Sequence, residues 1–136
     1  MRVTVDANVL FACLIKDSTT RRLLFNPALS LFSPEFIAEE ILSQILEIRK
    51  KSGLDQNDLN SLTAKIFDQL TLVPDERLKP FLPAAASLIN DPKDWLYLSC
   101  ALCEDTVIWS NDYGFMLQKR IRVLTTKELV GMAGSL

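Results

Sequence analysis

The chain has 136 residues, among them 17 Asp plus Glu and no histidine. The absence of histidine removes the commonest general base, the Ser-His-Asp and Cys-His mechanisms and most protein zinc sites. Four glycines, Gly53, Gly114, Gly131 and Gly134, cannot write a GxGxxG fingerprint or a GxxxxGK[ST] phosphate loop. Carboxylates are left to carry any chemistry, and four of them recur at structural punctuation. Asp6 follows the apolar run Val3 to Val5, and Glu40 sits in a helical stretch after Pro34. Asp94 closes Asn90-Asp91-Pro92-Lys93-Asp94, and Asp112 follows Ile108-Trp109-Ser110-Asn111.

Each acid also has an ordinary structural reading. Asp6 is a helix cap before Val9 to Ile15, Asp91 an N-cap with Pro92 in the first helical position, Asp94 a capping-box acid, and Asp112 a turn residue. Helix phase distinguishes Glu40 from Glu39. With Phe36 at zero and 100° per residue, Ile37, Ile41, Ile45 and Ile48 fall between about 100° and 180°. Glu40 then lies at about 40°, on the flank of the buried stripe, and Glu39 at about 300°, facing away. Glu39 and Glu35 read as first-turn acids that complement the helix dipole. Asp94 stands four residues before Leu98 and seven before Ala101, which turns its side chain toward the interior. Asp91 is mainly a cap, with an accessory functional contact as its second reading.

The elements that must position these acids alternate between short β-branched runs and helical stretches. Strands are expected at Arg2 to Val5, Ala28 to Phe32, Thr71 to Val73, Thr106 to Ser110 and Arg122 to Thr125. Helices are expected from Pro34, with Ser33 as cap, to about Lys51, then Asp55 to Leu70, Arg77 to Ile89 offset by Pro80 and Pro83, Asp91 to Glu104, and Lys127 to Met132. Strands separated by helices imply crossovers and a mostly parallel sheet covered on both faces, a single three-layer α/β/α domain over residues 1–136. Ligands of such sheets bind outside the carboxyl ends of the strands. Asp6 and Asp112 belong to those ends, and Glu40 and Asp94 to the loops and helices beside them. Four clustered carboxylates repel one another and call for a cation. A ligand set made only of oxygen suits Mg²⁺ or Mn²⁺, and the chemistry those ions support without histidine is phosphodiester hydrolysis.

Val5-Asp6-Ala7-Asn8, Pro34 to Glu40-Ile41, Asp91-Pro92-Lys93-Asp94 and Trp109-Ser110-Asn111-Asp112-Tyr113-Gly114-Phe115, in this order and spacing, resemble the PIN-domain nucleases, VapC-type toxins included. The resemblance covers nearly the whole chain. It implies a Mg²⁺- or Mn²⁺-dependent endoribonuclease with Asp6, Glu40, Asp94 and Asp112 as catalytic acidic ligands. It also implies Ser110 as an accessory polar contact, Asn8 as a support for Asp6, a homodimer, and an antitoxin partner for the toxins. Gly114 stands where many relatives carry a further acid, which points to one-metal chemistry or a second metal brought with the substrate.

The acidic pI, about 5.1, argues against gripping nucleic acid by bulk charge. With the four ligands set aside, the remaining charge is about +2 and clusters at Arg21-Arg22, Arg49-Lys50-Lys51 and Lys119-Arg120-Arg122. Cys13, Cys100 and Cys103 form an odd set without a secretory leader or a membrane span, so reduced, packed thiols in a cytoplasm are expected. A haloacid-dehalogenase-type phosphatase would need an acid at position eight, where Asn8 stands, and a receiver domain would need an acidic pair before the first helix. The remaining rival is a degenerate PIN module that binds RNA or a protein without cutting.

Overall fold

The computed structural model describes residues 1–132; the last four positions of the expected domain, 133–136, lie outside them. The elements run β1 (Arg2–Val5), α1 (Ala7–Ile15), α2 (Thr19–Leu24), β2 (Ser30–Pro34), α3 (Phe36–Ser43), α4 (Ile45–Ser52) and α5 (Gln56–Asp68). They continue with β3 (Leu70–Val73), α6 (Asp75–Leu78), α7 (Leu82–Leu88), α8 (Trp95–Glu104), β4 (Val107–Trp109), β5 (Val123–Leu124) and α9 (Thr126–Met132). All five strands are parallel, in the order β3-β2-β1-β4-β5.

Strand β1 is central and alternates between two buried faces. Thr4 turns toward α8, where its hydroxyl meets the Thr106 hydroxyl at 2.6 Å and Cys100 Sγ at 3.6 Å. Val3 and Val5 point the other way and are fully buried in the main core with Leu10, Leu14, Ile37 and Ile66. Helix α8 lies across β1, β2 and β4 and packs with α6 and α7, while α1 packs with α2, α3, α4 and α5. This puts helices on both faces, as the alternation of strand and helix predicts. No helix among the described residues is long and apolar enough to cross a membrane.

The structure corrects three boundaries. The second strand is Ser30–Pro34 rather than Ala28 to Phe32, because Ala28 N–H bonds Asn26 Oδ1 at 2.9 Å in a local turn. Ser33 and Pro34 therefore do not start a helix: Ser33 Oγ donates to Val5 O at 2.8 Å, and Pro34 pairs with Val73. Pro34 lies beyond the last β1 pairing, Thr4 with Phe32, so its missing N–H leaves no ladder bond unmade. The helix expected to reach Lys51 unbroken is two helices with Gln44 between them. Ser43 Oγ donates to Glu40 O at 2.7 Å and competes with the helical ladder there. The break at Gly53 is as expected, with φ +70°, a conformation that costs glycine little.

Helix α2 is an addition, built on the polar Thr19-Thr20-Arg21-Arg22 stretch that gives little periodic signal. The expected helix at Asp91 opens as a 3₁₀ turn, Pro92–Asp94, and becomes α-helical at Trp95.

Candidate active site at the carboxyl ends of the strands

Asp6 leaves β1 beside the end of β4, its N–H donating to Trp109 O at 3.1 Å. It is 5% exposed, and its Oδ2 accepts a hydrogen bond from Ser110 Oγ at 2.8 Å. The same Ser110 oxygen accepts the Asp112 N–H at 2.9 Å, so one buried hydroxyl ties the two acids' segments together. Asp112 Oδ1 in turn accepts the Gly114 N–H at 3.0 Å and starts the 3₁₀ turn Tyr113–Leu117. The turn reading of Asp112 is thus correct, and the turn is what aims its carboxylate. Behind it, Thr126 anchors the loop, accepting from Trp109 Nε1 at 2.9 Å and Asn111 Nδ2 at 3.0 Å.

Asp94 caps α8 without a side-chain cap bond, so its carboxylate is not spent on the helix. A methyl group built on Gly114 would lie 3.5 Å from Asp112 Oδ1 and 3.7 Å from Asp94 Oδ2, which brings those two carboxylates close together beside that glycine. Together with Asp91 they line a depression of about 280 Å³. Glu40 is half-buried and Glu39 exposed, matching the helix phase, and Glu40 Oε1 accepts a hydrogen bond from the Tyr97 hydroxyl.

The electrostatics couple these four acids. Burial, then Asp91, Asp112, Asp6 and Glu40, push the Asp94 carboxyl up to about 6. Burial holds the Asp6 carboxyl above the usual aspartate range and Asp112 adds to the rise, while Ser110 and the N–H groups of Asn8 and Ala7 lower it. Among the described residues, none of the four acids has a Lys or Arg nitrogen within 4.0 Å. As the side chains stand, no three His, Cys, Asp or Glu side chains among the described residues close around one point as a metal cage. The donor chemistry nevertheless fits a hard cation: every group is a carboxylate, and a Mg²⁺-like ion keeps several waters and takes one or two direct carboxylates.

One accessory expectation, for Asn8, needs correction in detail, and the reading of Asp91 as a cap holds. Asn8 is exposed, and its side chain lines a separate groove with Phe11, Gln44 and Lys51, so only its backbone N–H bears on Asp6. The peptide turns from strand to helix at Asp6, which sends the next polar side chain away from the carboxylate. Asp91 is exposed and caps the 3₁₀ turn, its Oδ1 accepting Lys93 N–H at 3.1 Å, although it also borders the depression. Tyr97 was absent from the sequence-based set. Its signal is its place three residues after Asp94, on the same helical face. The thiols take no part: burial pushes Cys13 and Cys100 up to about 12, and Cys103 contacts Arg77 and Glu104 away from this depression.

Comparison with known proteins agrees with this fold. The structure is similar to a chain of the VapBC2 complex from Rickettsia felis bound to a DNA fragment from their promoter. The TM-score is 0.68 at 15% identity, covering 92% of this chain and 98% of that one. No curated protein matches the sequence. The model of the PIN domain matches residues 4–130, all but a few positions at either end, and the chain belongs to the PIN domain family.

Proposed function

We propose that the protein is an endoribonuclease dependent on Mg²⁺ or Mn²⁺, with Asp6, Glu40, Asp94 and Asp112 as the acidic residues that hold the ion. The observation that supports this reading is the electrostatic coupling of Asp94 to Asp6, Asp112 and Glu40, with Asp94 and Asp112 bordering one depression and, among the described residues, no Lys or Arg paired with any of the four. Such an arrangement is costly for the fold alone and is relieved by a divalent cation. When bound, the ion supplies a Lewis acid for the phosphodiester and a water of lowered pKa.

The chain's own groups orient that chemistry. Ser110 fixes one oxygen of Asp6 and the backbone of Asp112, and the Gly114 N–H fixes Oδ1 of Asp112. Without a cation these anionic groups repel a phosphodiester, so cleavage requires added metal and stops with EDTA. Exposed Lys119, Arg120 and Arg122 are available to phosphates, and with a pI near 5.1 the affinity for RNA is modest and sensitive to salt.

A protein partner of antitoxin type belongs to the same proposal, as does association into a homodimer in a cytoplasmic setting. A groove of about 460 Å³ between α3, α4 and α5, lined by the apolar Ala38, Ile41, Leu42, Ile45 and Phe67 and by the polar Gln56, Asn60 and Thr63, carries no carboxylate. Beside it Leu42 and Leu46 are 70% and 80% exposed, apolar surface that a partner would cover. The rival reading, a PIN module that binds without cutting, has in its favour the lack of a closed carboxylate cage among the described residues. A Mn²⁺ titration separates them. The nuclease raises its melting temperature with Mn²⁺ and cuts RNA in an EDTA-sensitive way; neither effect appears if the module only binds.

A further inference from the structure

We infer that Tyr97 is a positioning residue of the proposed metal site: its hydroxyl holds the Glu40 carboxylate by one oxygen and leaves the other for the cation. This rests on the nuclease reading and adds a residue to it. Tyr97 is 2% exposed, on the first turn of α8, one turn beyond Asp94. Its hydroxyl donates to Glu40 Oε1 across the gap between α8 and α3. A phenol is an uncharged donor at neutral pH, able to restrain a carboxylate without neutralising it.

The restraint matters because Glu40 lies inside α3 whereas Asp6, Asp94 and Asp112 stand at element ends, and among the described residues it has no serine counterpart to the one that ties Asp6 to Asp112. A glutamate has three side-chain torsions to order, and a fixed donor on one oxygen removes most of that freedom before the ion arrives. Two helices on separate segments, α3 and α8, are thereby locked together at the site itself. The bland account is that a buried phenol needs an acceptor and Glu40 is the nearest one. The two accounts differ in what happens when Glu40 can no longer hold a cation.

The test is a double-mutant cycle on the full chain, reading the Kd for Mn²⁺ by electron paramagnetic resonance. Tyr97→Phe keeps the ring and its packing and removes only the donor; its Kd is expected to rise about tenfold with the near-ultraviolet circular dichroism unchanged. In the Glu40→Gln background the same substitution is expected to change Kd less than twofold. An unchanged Kd in the single variant, or an equal rise in both backgrounds, overturns the inference. A wild-type protein that binds no Mn²⁺ overturns the nuclease reading itself, and is seen before any variant is made.

A second measurement needs no substitution at Tyr97. With tyrosine ¹³C-labelled at Cζ, the chain shows two resonances, from Tyr97 and Tyr113, assigned through Tyr113→Phe. The Tyr97 resonance is expected to shift on Mg²⁺ addition. A resonance unmoved at Mg²⁺ concentrations that saturate the thermal shift overturns the inference.

Discussion

Helix α8 is capped by Asp94, in a depression shared with Asp91 and Asp112 and lined by no lysine or arginine among the described residues, and it ends at Glu104, gripped by two arginines. The Glu104 side chain is 10% exposed and reaches Arg77 at 2.6 Å and Arg2 at 3.3 Å. A carboxylate at a helix C-terminus opposes the helix dipole, and there the fold supplies two guanidinium groups to offset it. At the N-terminus the dipole favours an acid, yet burial and the neighbouring acids still push Asp94 up to about 6. The protein therefore has the means to neutralise a crowded carboxylate and uses it at only one end of this helix. Charge left unmatched in a cavity points to a ligand, and charge matched by arginine points to stability.

The comparison is broken most strongly by activity. Asp112→Asn or Asp6→Asn is expected to reduce Mn²⁺-dependent RNA cleavage about a thousandfold, corresponding to about 4 kcal/mol, whereas Glu104→Gln leaves it within about twofold. Initial rates on a fluorogenic RNA decide this. Next in size, Glu40→Gln is expected to weaken Mn²⁺ binding about tenfold and Glu39→Gln to leave it unchanged, by calorimetric titration. Equal losses in both would place the wrong face of α3 toward the site.

Stability sharpens the contrast because the two ends respond with opposite sign. Glu104→Gln is expected to destabilise by about 1–2 kcal/mol in urea, a figure kept low because both arginines are about half exposed. Asp94→Asn is expected to stabilise the metal-free protein at pH 7 by about 1 kcal/mol, with screening by solvent taken into account. The folded-state value for Asp94, about 6, exceeds its ordinary 3.8, so the folded state holds the proton more tightly than the unfolded chain. Its contribution to stability therefore falls as pH rises from about 4 to about 6 and stays lost above that. Melting curves in EDTA between pH 4 and 7.5 should show the loss in the wild type and a flatter profile in the variant.

Much of this was legible in the sequence because the strands are short apolar runs ending on carboxylates. Val3-Thr4-Val5-Asp6 and Val107-Ile108-Trp109-Ser110-Asn111-Asp112 carry two neighbouring strands of the parallel sheet and two of the four acids. Glu40 was legible through the phase of Ile37 and Ile41, which survives because the break at Gln44 comes after it. That break was not legible, since Ser43 acts through a hydrogen bond to Glu40 O that no hydrophobic pattern encodes. Pro34 misled for a related reason: a proline after a serine looks like a helix start, and only the lengths of the neighbouring strands show that its N–H is dispensable. Tyr97 was hidden because a tyrosine on an apolar stripe reads as core, and its partner lies 57 positions away. Asn8 reads as a companion to Asp6 until the turn into α1 sends its side chain elsewhere.

The central claim is that the acids at the strand ends hold a magnesium-like ion. Its most direct measurement is an anomalous difference map from a crystal soaked in Mn²⁺. The account predicts a peak in the depression bordered by Asp94 and Asp112, coordinated by oxygens from at least two of Asp6, Glu40, Asp94 and Asp112 and absent from an Asp112→Asn crystal. A map with no peak there, at a Mn²⁺ concentration that supports cleavage, would contradict it.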